Sequence, residues 1–196
     1  MADFKKYIVL ITGNIIMGLG IGLCDYSMLG TDPMTVLITG LLKHVSISFG
    51  TVNLIVSFLL ILIGYLIEKR NVSLATFIGA AAVSIGIDLF GMIYLPVSEG
   101  LLGYVYLLIG ITLYCLGIAL SQIPRTGYTA YDCTVFAIMK IIDKEYHIAR
   151  WIVDFSFIIS GYLLGGEIGL GTIVILLVCG KLIMFFVKVL EKIIRF

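Results

Sequence analysis

Charge is what this chain has least of. Only 13% of its 196 residues are Asp, Glu, Lys or Arg, and the net charge is +1. A soluble domain carries roughly 25% charged residues, so this composition cannot clothe an ordinary water-facing surface. The near-neutral balance also excludes a nucleic-acid partner, which would need a basic face. Histidine is scarce: His44 and His147 stand far apart. The sequence holds no His-Glu-x-x-His, no Gly-x-Ser-x-Gly and no P-loop, so neither an enzyme, a metal site nor a bound cofactor is expected. The four cysteines, Cys24, Cys115, Cys133 and Cys179, lie in apolar segments without Cys-x-x-Cys spacing. They read as inert buried thiols.

What is present is apolar length. Hydrophobic residues make up 61% of the chain and mean hydropathy is +1.16. A membrane span needs about 20 apolar residues, and six segments qualify: 7–29, 49–67, 74–95, 101–123, 149–165 and 172–190. The breaks between them are charged (Glu68–Asn71) or turn-forming (Pro96–Gly100, Ile123–Gly127, Gly165–Gly171). Lys and Arg set the orientation. With the N-terminus inside, Lys5, Lys6, Lys69, Arg70, Arg125, Lys140, Lys144, Arg150, Lys188, Lys192 and Arg195 fall on the inner side, and Lys43 falls outside with Glu99. Both termini are therefore expected to be cytoplasmic, in a plasma membrane.

Two apolar segments are too short to cross. Residues 32–45 follow a Gly-Thr-Asp-Pro, in which Asp32 can cap a helix and Pro33 can open it. Residues 128–142 form their counterpart, with Thr129 as cap and Asp132 in the first turn. Each is expected to dip into the membrane and return, or to lie in the interface.

The chain also repeats itself. Sliding it by 97 positions puts Leu19–Leu23 (LGIGL) on Leu116–Leu120 (LGIAL), Gly30 on Gly127 and Lys43 on Lys140, with 16 identities over residues 7–66. The expected architecture is an all-α membrane bundle of two repeats, 1–97 and 98–196. Each has three spans and one short helix. An odd number of spans inverts the second copy, as in many secondary transporters.

Ionisable residues inside spans are functional candidates, because burying them in lipid is costly. Asp88, Asp154 and Lys181 qualify, either as a structural Lys–Asp lock or as a substrate site. Arg150 and Asp154 are spaced to share one helix face. The candidate substrate site is Gly30, Thr31, Asp32, Pro33, Asp88, Gly127, Thr129, Asp132, Arg150, Asp154 and Lys181. The two short-helix N-termini, with their free N–H groups, would converge there on one cavity.

These residues resemble the YczE/YyaS/YitT-type family of small bacterial membrane proteins, the YczE branch in particular. Leu29, Gly30 and Pro33 match its Leu-Gly-x-x-Pro after span one, and Asp88 its Asp late in span three. Gly165, Gly166, Gly169, Gly171 and Thr172 match its glycine-rich run before the last span. Arg150 and Asp154 match an Arg and an acid opening span five. Met34 and Thr35 replace the family's aromatic and acid. Of its second-half Gly-Pro-Arg-Asp only Asp132 survives. The resemblance implies a polytopic membrane protein and names no substrate. Two functions stay open: a small transporter or exporter of a small molecule, with a homodimer as the candidate assembly, or a non-transporting membrane partner such as a binding subunit or assembly factor.

Overall fold

The structure, a computed structural model, describes residues 2–93 and 100–194. The expected turn at Pro96–Gly100, Glu99 and Arg195 thus lie wholly or mostly outside the described residues. Eight α-helices follow one another: α1 (Ala2–Tyr26), α2 (Pro33–Leu42), α3 (Phe49–Ile67), α4 (Leu74–Gly91), α5 (Leu101–Gln122), α6 (Ala130–Ile142), α7 (Tyr146–Leu163) and α8 (Leu170–Ile193). A 3₁₀ turn, Lys69–Asn71, joins α3 to α4. The protein is a polytopic helical bundle.

Five helices, α1, α3, α4, α5 and α8, are long and apolar enough to cross a bilayer. The sixth expected span corresponds to α7. It has 18 residues but carries His147, Arg150 and Asp154, which dilute its apolar content. At 1.5 Å per residue, α2 and α6 span only about 15 and 20 Å, against a hydrocarbon core of about 30 Å.

Two apolar cores divide the helices. One joins α1, α4, α5 and α8 through Ile21, Cys24, Val83, Ile87, Tyr114, Cys115, Ile175 and Cys179. The other joins α2, α3, α6 and α7 through Ile38, Val56, Leu60, Val135, Val153 and Phe157. All four cysteines are buried and unbridged.

At the centre α1 and α5 cross at backbone contact. A Cβ on Gly20 would lie 2.4 Å from the Tyr114 nitrogen, and one on Gly117 would lie 2.4 Å from the Met17 nitrogen. The contact is reciprocal under the 97-residue shift, which carries Gly20 to Gly117 and Met17 to Tyr114. The short helices behave the same way, since each crosses the third helix of the other half. A Cβ on Gly161 of α7 would meet the Val36 carbonyl carbon of α2 at 2.5 Å. Thr134 Oγ1 of α6 donates to the Leu60 carbonyl of α3 at 3.2 Å. At the far ends, His44 Nε2 lies 3.1 Å from the Leu164 carbonyl and Lys140 Nζ donates to the Ile67 carbonyl at 3.3 Å.

The last helix pair keeps a different register. The Ser73 N–H donates to Thr76 Oγ1 at 3.2 Å, and the Gly169 N–H donates to Thr172 Oγ1 at 3.4 Å. The two helix starts therefore match at a shift of 96. Between matched positions, Gly64 to Ser73 and Gly161 to Gly169, the second half is one residue shorter, which an ungapped slide of the sequence cannot reveal.

The halves differ most here. α4 packs on α3, but α7 and α8 hardly touch. Asn53 Nδ2 donates to Ser84 Oγ at 2.9 Å, and Asp88 accepts from Ser48 Oγ at 2.9 Å and from the Gly50 N–H at 2.8 Å. The matching positions are Arg150, Gly180 and Met184, a set that cannot form such a zipper. Among the described residues, no atom beyond the adjoining residues and backbone of α8 itself lies within 4 Å of where a Cβ on Gly180 would stand.

Candidate substrate site

Each short helix opens on an Asp–Thr pair, with the two residue types exchanged between halves. Asp32 caps α2: its Oδ1 accepts from the Thr35 N–H at 3.3 Å, and its Oδ2 accepts from Thr35 Oγ1 at 2.5 Å. Thr129 caps α6: its Oγ1 accepts from the Asp132 N–H at 3.0 Å and donates to Asp132 Oδ2 at 2.9 Å. The Asp32 carboxylate and the Thr129 hydroxyl each satisfy an orphan N–H, and a carboxylate in either place complements the helix dipole. The N-terminal N–H groups of both helices are thus partly engaged by their own side chains.

The loop before α2 turns at Gly30, whose φ of 99° is a left-handed conformation that disfavours any side chain. The turn brings Leu29 O to accept from the Gly171 N–H at 2.6 Å. The other half repeats the docking with other atoms: Ser73 Oγ donates to the Thr126 carbonyl at 3.2 Å, next to Gly127. Thr31 and Asp32 are buried, as is Pro33.

From Asp132 a polar chain runs along α7. Tyr146 Oη donates to Asp132 Oδ1 at 2.7 Å, and Arg150 Nη1 donates to Tyr146 Oη at 3.2 Å. The Arg150 guanidinium lies 5.0 Å over the Tyr131 ring centre, a cation–π placement. Its Nε stands 3.8 Å from Asp154 Oδ2. Tyr131 Oη donates to the same carboxylate at Oδ1. Asp154 is buried, while 38% of the Arg150 side chain remains exposed. The N-terminus of α6 thus joins the polar cluster through Asp132 and Tyr131.

Tyr146, Arg150 and Asp154 stand at i, i+4 and i+8, so one face of α7 carries the chain. That spacing was available in the sequence for Tyr146. Tyr131 comes from α6, and no local pattern marks it.

Two expected members lie elsewhere. Asp88 is engaged at the N-terminus of α3, bordering a concavity of about 380 Å³ between α1, α3 and α4, together with Asp25 and Ser48. Lys181 lies about 16 Å along α8 from Leu170 and is exposed. Among the described residues it makes no ion pair with Asp88 or Asp154. A Lys181–Asp lock is therefore corrected. α8 turns Ile175, Cys179, Leu182 and Ile183 toward the core, and Lys181 falls on the opposite side. Nor do residues 30–33 and 127–132 border either principal concavity; the larger one lies between α3 and α4. Among the described residues no cluster of His, Cys, Asp or Glu is suited to a metal ion.

Apolar helices of spanning length around a partly buried Arg–Asp–Tyr cluster define a polytopic membrane protein. The chain belongs to a family of unknown function, DUF6198, whose model matches residues 4–188. It is 28% identical over 192 residues to the uncharacterized protein YyaS of Bacillus subtilis, covering 95% of this chain and 94% of that one. It is 26% identical over 191 residues to an uncharacterized protein of Haemophilus influenzae, covering 97% of this chain and 87% of the relative. These relatives agree with the YyaS-type resemblance read from the motifs. No solved structure matches.

Proposed function

We propose that this protein is a small secondary transporter built from two inverted-topology repeats, with Arg150 and Asp154 at its substrate site. One observation carries the reading. The two halves place matched helices in different states: α4 is closed on α3, while α8 stands off α7. Asn53 is buried, whereas the residue at the matched position, Arg150, is only partly buried. An inverted repeat with one closed and one open half is what alternating access requires. The reciprocal α1–α5 crossing and the exchange of short helices between halves support the inverted relation.

The site's chemistry favours a small molecule with an anionic group. The half-exposed guanidinium is a fork suited to a carboxylate or phosphate, with Tyr131 and Tyr146 beside it. Orientation follows from the basic residues. Lys140 pairs with Glu68 at 2.6 Å and Arg125 with Glu191 at 3.1 Å, on the face where α3 and α8 end. Lys43 pairs with Glu167 at 3.4 Å where α2 and α7 end. The richer basic face is the cytoplasmic one, in the plasma membrane, with both termini on it.

Counterflow in proteoliposomes tests this. The purified protein alone should exchange labelled organic anions from a metabolite panel, and Arg150→Gln should abolish exchange while leaving a folded, monodisperse protein. Absence of exchange across the panel would favour the second reading, a non-transporting membrane partner. That reading has its own observation: Leu177, Lys181, Met184 and Phe185 leave one side of α8 uncovered. Cross-linking from position 181 in native membranes would then capture a second copy or another protein.

A further inference from the structure

A second, apolar concavity belongs to none of the residues above. It is an open groove of about 630 Å³ between α3 and α4, lined by Phe58, Leu62, Tyr65, Leu74 and Phe77, with Ser73 among its few polar groups. From Phe58 to Tyr65 it runs about 10 Å along α3. Its inner end lies at the 3₁₀ turn Lys69–Asn71, where the chain passes from α3 to α4.

We propose that this groove binds an anionic phospholipid, its acyl chain against Phe58, Leu62 and Phe77 and its phosphate held by Lys69 and Arg70. The walls are the hydrocarbon of a lipid-facing surface, and the charge sits at one end only, as in a phospholipid. Lys69 Nζ stands 5.3 Å from the centre of the Tyr65 ring, which places a cation at the groove's mouth. Lys69 and Arg70 are both exposed. Neither makes an ion pair within 4 Å among the described residues. The neighbouring acid is already engaged, since Glu68 Oε2 pairs with Lys140 Nζ at 2.6 Å. The turn therefore presents two exposed cations, neither in an ion pair within 4 Å among the described residues, to an incoming anion. Basic pockets at the cytoplasmic ends of membrane helices recognise anionic headgroups in this way.

The other half lacks the feature. Its corresponding connection reads Gly165-Gly166-Glu167, and Glu167 pairs with Lys43. The groove is thus a property of one half and one membrane face, and it stands whether or not the protein transports anything.

The experiment uses the full chain purified in detergent, titrated with dioleoyl phosphatidylglycerol or dioleoyl phosphatidylcholine. Retained lipid is counted by native mass spectrometry and thermal stability is measured alongside. The parent should prefer phosphatidylglycerol by about tenfold or more, in line with two basic contacts. Lys69→Gln with Arg70→Gln, a surface change, should erase that preference and leave phosphatidylcholine binding intact. Leu62→Trp should weaken both lipids by filling the groove; if it fails to fold, the surface variant decides. Soluble glycerol phosphate should not bind. Equal binding of the two lipids to the parent, or a preference surviving in Lys69→Gln/Arg70→Gln, overturns the proposal. Glycerol phosphate binding as tightly as phosphatidylglycerol also overturns it, in favour of a headgroup-only site.

Discussion

The α3–α4 pair and the α7–α8 pair occupy matching places in the chain and do opposite things. The first is fastened by hydrogen bonds across the gap: the neutral Asn53 amide donates to Ser84, and the Asp88 side chain accepts from Ser48 and from the α3 N-terminus. The second has an Arg where the Asn stood, a Gly for the Ser and a Met for the Asp. Neutral amides and hydroxyls can be buried between two helices once they are paired. A guanidinium needs a carboxylate, and Asp154 lies on its own helix rather than across the gap. Polar substitution at a few matched sites is thus enough to make one interface a seam and the other an opening.

The largest effects are expected where backbones touch. Gly161→Ala would place a Cβ 2.5 Å from Val36 backbone atoms, so α2 must move off α7. We expect a loss of about 1–3 kcal/mol or more, as for overpacked cores, seen as a lowered Tm in detergent. Gly180→Ala is the control, since among the described residues its Cβ meets nothing beyond the adjoining residues and backbone of α8. It should be neutral or slightly stabilising, by up to about 1 kcal/mol from helix propensity. If the two alanines cost the same, α8 does not stand open as described.

Next comes the polar cluster. Asp154→Asn leaves Tyr131 and Arg150 without their carboxylate. Full burial would put the cost at about 3–5 kcal/mol, but Arg150 is partly exposed, so about 1–3 kcal/mol is expected. Asn53→Ala, in the closed half, removes one neutral bond and leaves Ser84, whose hydroxyl also donates to the Ala80 carbonyl at 3.0 Å. It should cost about 1 kcal/mol. It should also raise solvent or thiol-reagent access along α3, making the closed half resemble the open one. Access unchanged by Asn53→Ala would mean that the polar zipper does not hold that half closed.

The helix caps give a smaller effect that sharpens the symmetry. Asp32→Ala and Thr129→Ala should each cost about 0.5–2 kcal/mol. The double exchange Asp32→Thr with Thr35→Asp installs in α2 the arrangement α6 already uses, and should recover most of the loss. Failure to recover would show that the Asp32 carboxylate is needed at its own position, and not only as a cap.

The smallest effect is at the surface. Hydrogen bonding to Lys140, and secondarily its charge, lowers the Glu68 pKa below the usual carboxylate range. A lowered acid pKa contributes stability above the unfolded value of about 4.3. That contribution is lost as pH falls through the folded value. The Tm difference between parent and Glu68→Gln should therefore be constant from pH 7 to 5 and shrink only in more acid solution. A difference that disappears by pH 6 would rule out this pair as its source.

Composition and periodicity settled a good deal by themselves. Apolar runs of spanning length mark the helices because a lipid-facing helix must be apolar nearly throughout. α3 follows its run residue for residue, from Phe49 to Ile67. Asp32 and Thr129 were readable as caps because capping is local chemistry within four residues. Arg150 and Asp154 were readable because a single helix turn joins them. The sequence could not say what lies across a gap. Lys181 looked like a partner for an acid, but helix rotation sends it outward. Asp88 looked central, but α4 delivers it to the end of α3. Tyr131 enters the cluster only because α6 packs against α7. The one-residue difference between Gly64–Ser73 and Gly161–Gly169 appears only when the helix starts are matched through their own hydrogen bonds. One residue turns a helix by about 100°, so the facing of every side chain on α8, and with it the closed and open halves, was decided by the tertiary structure.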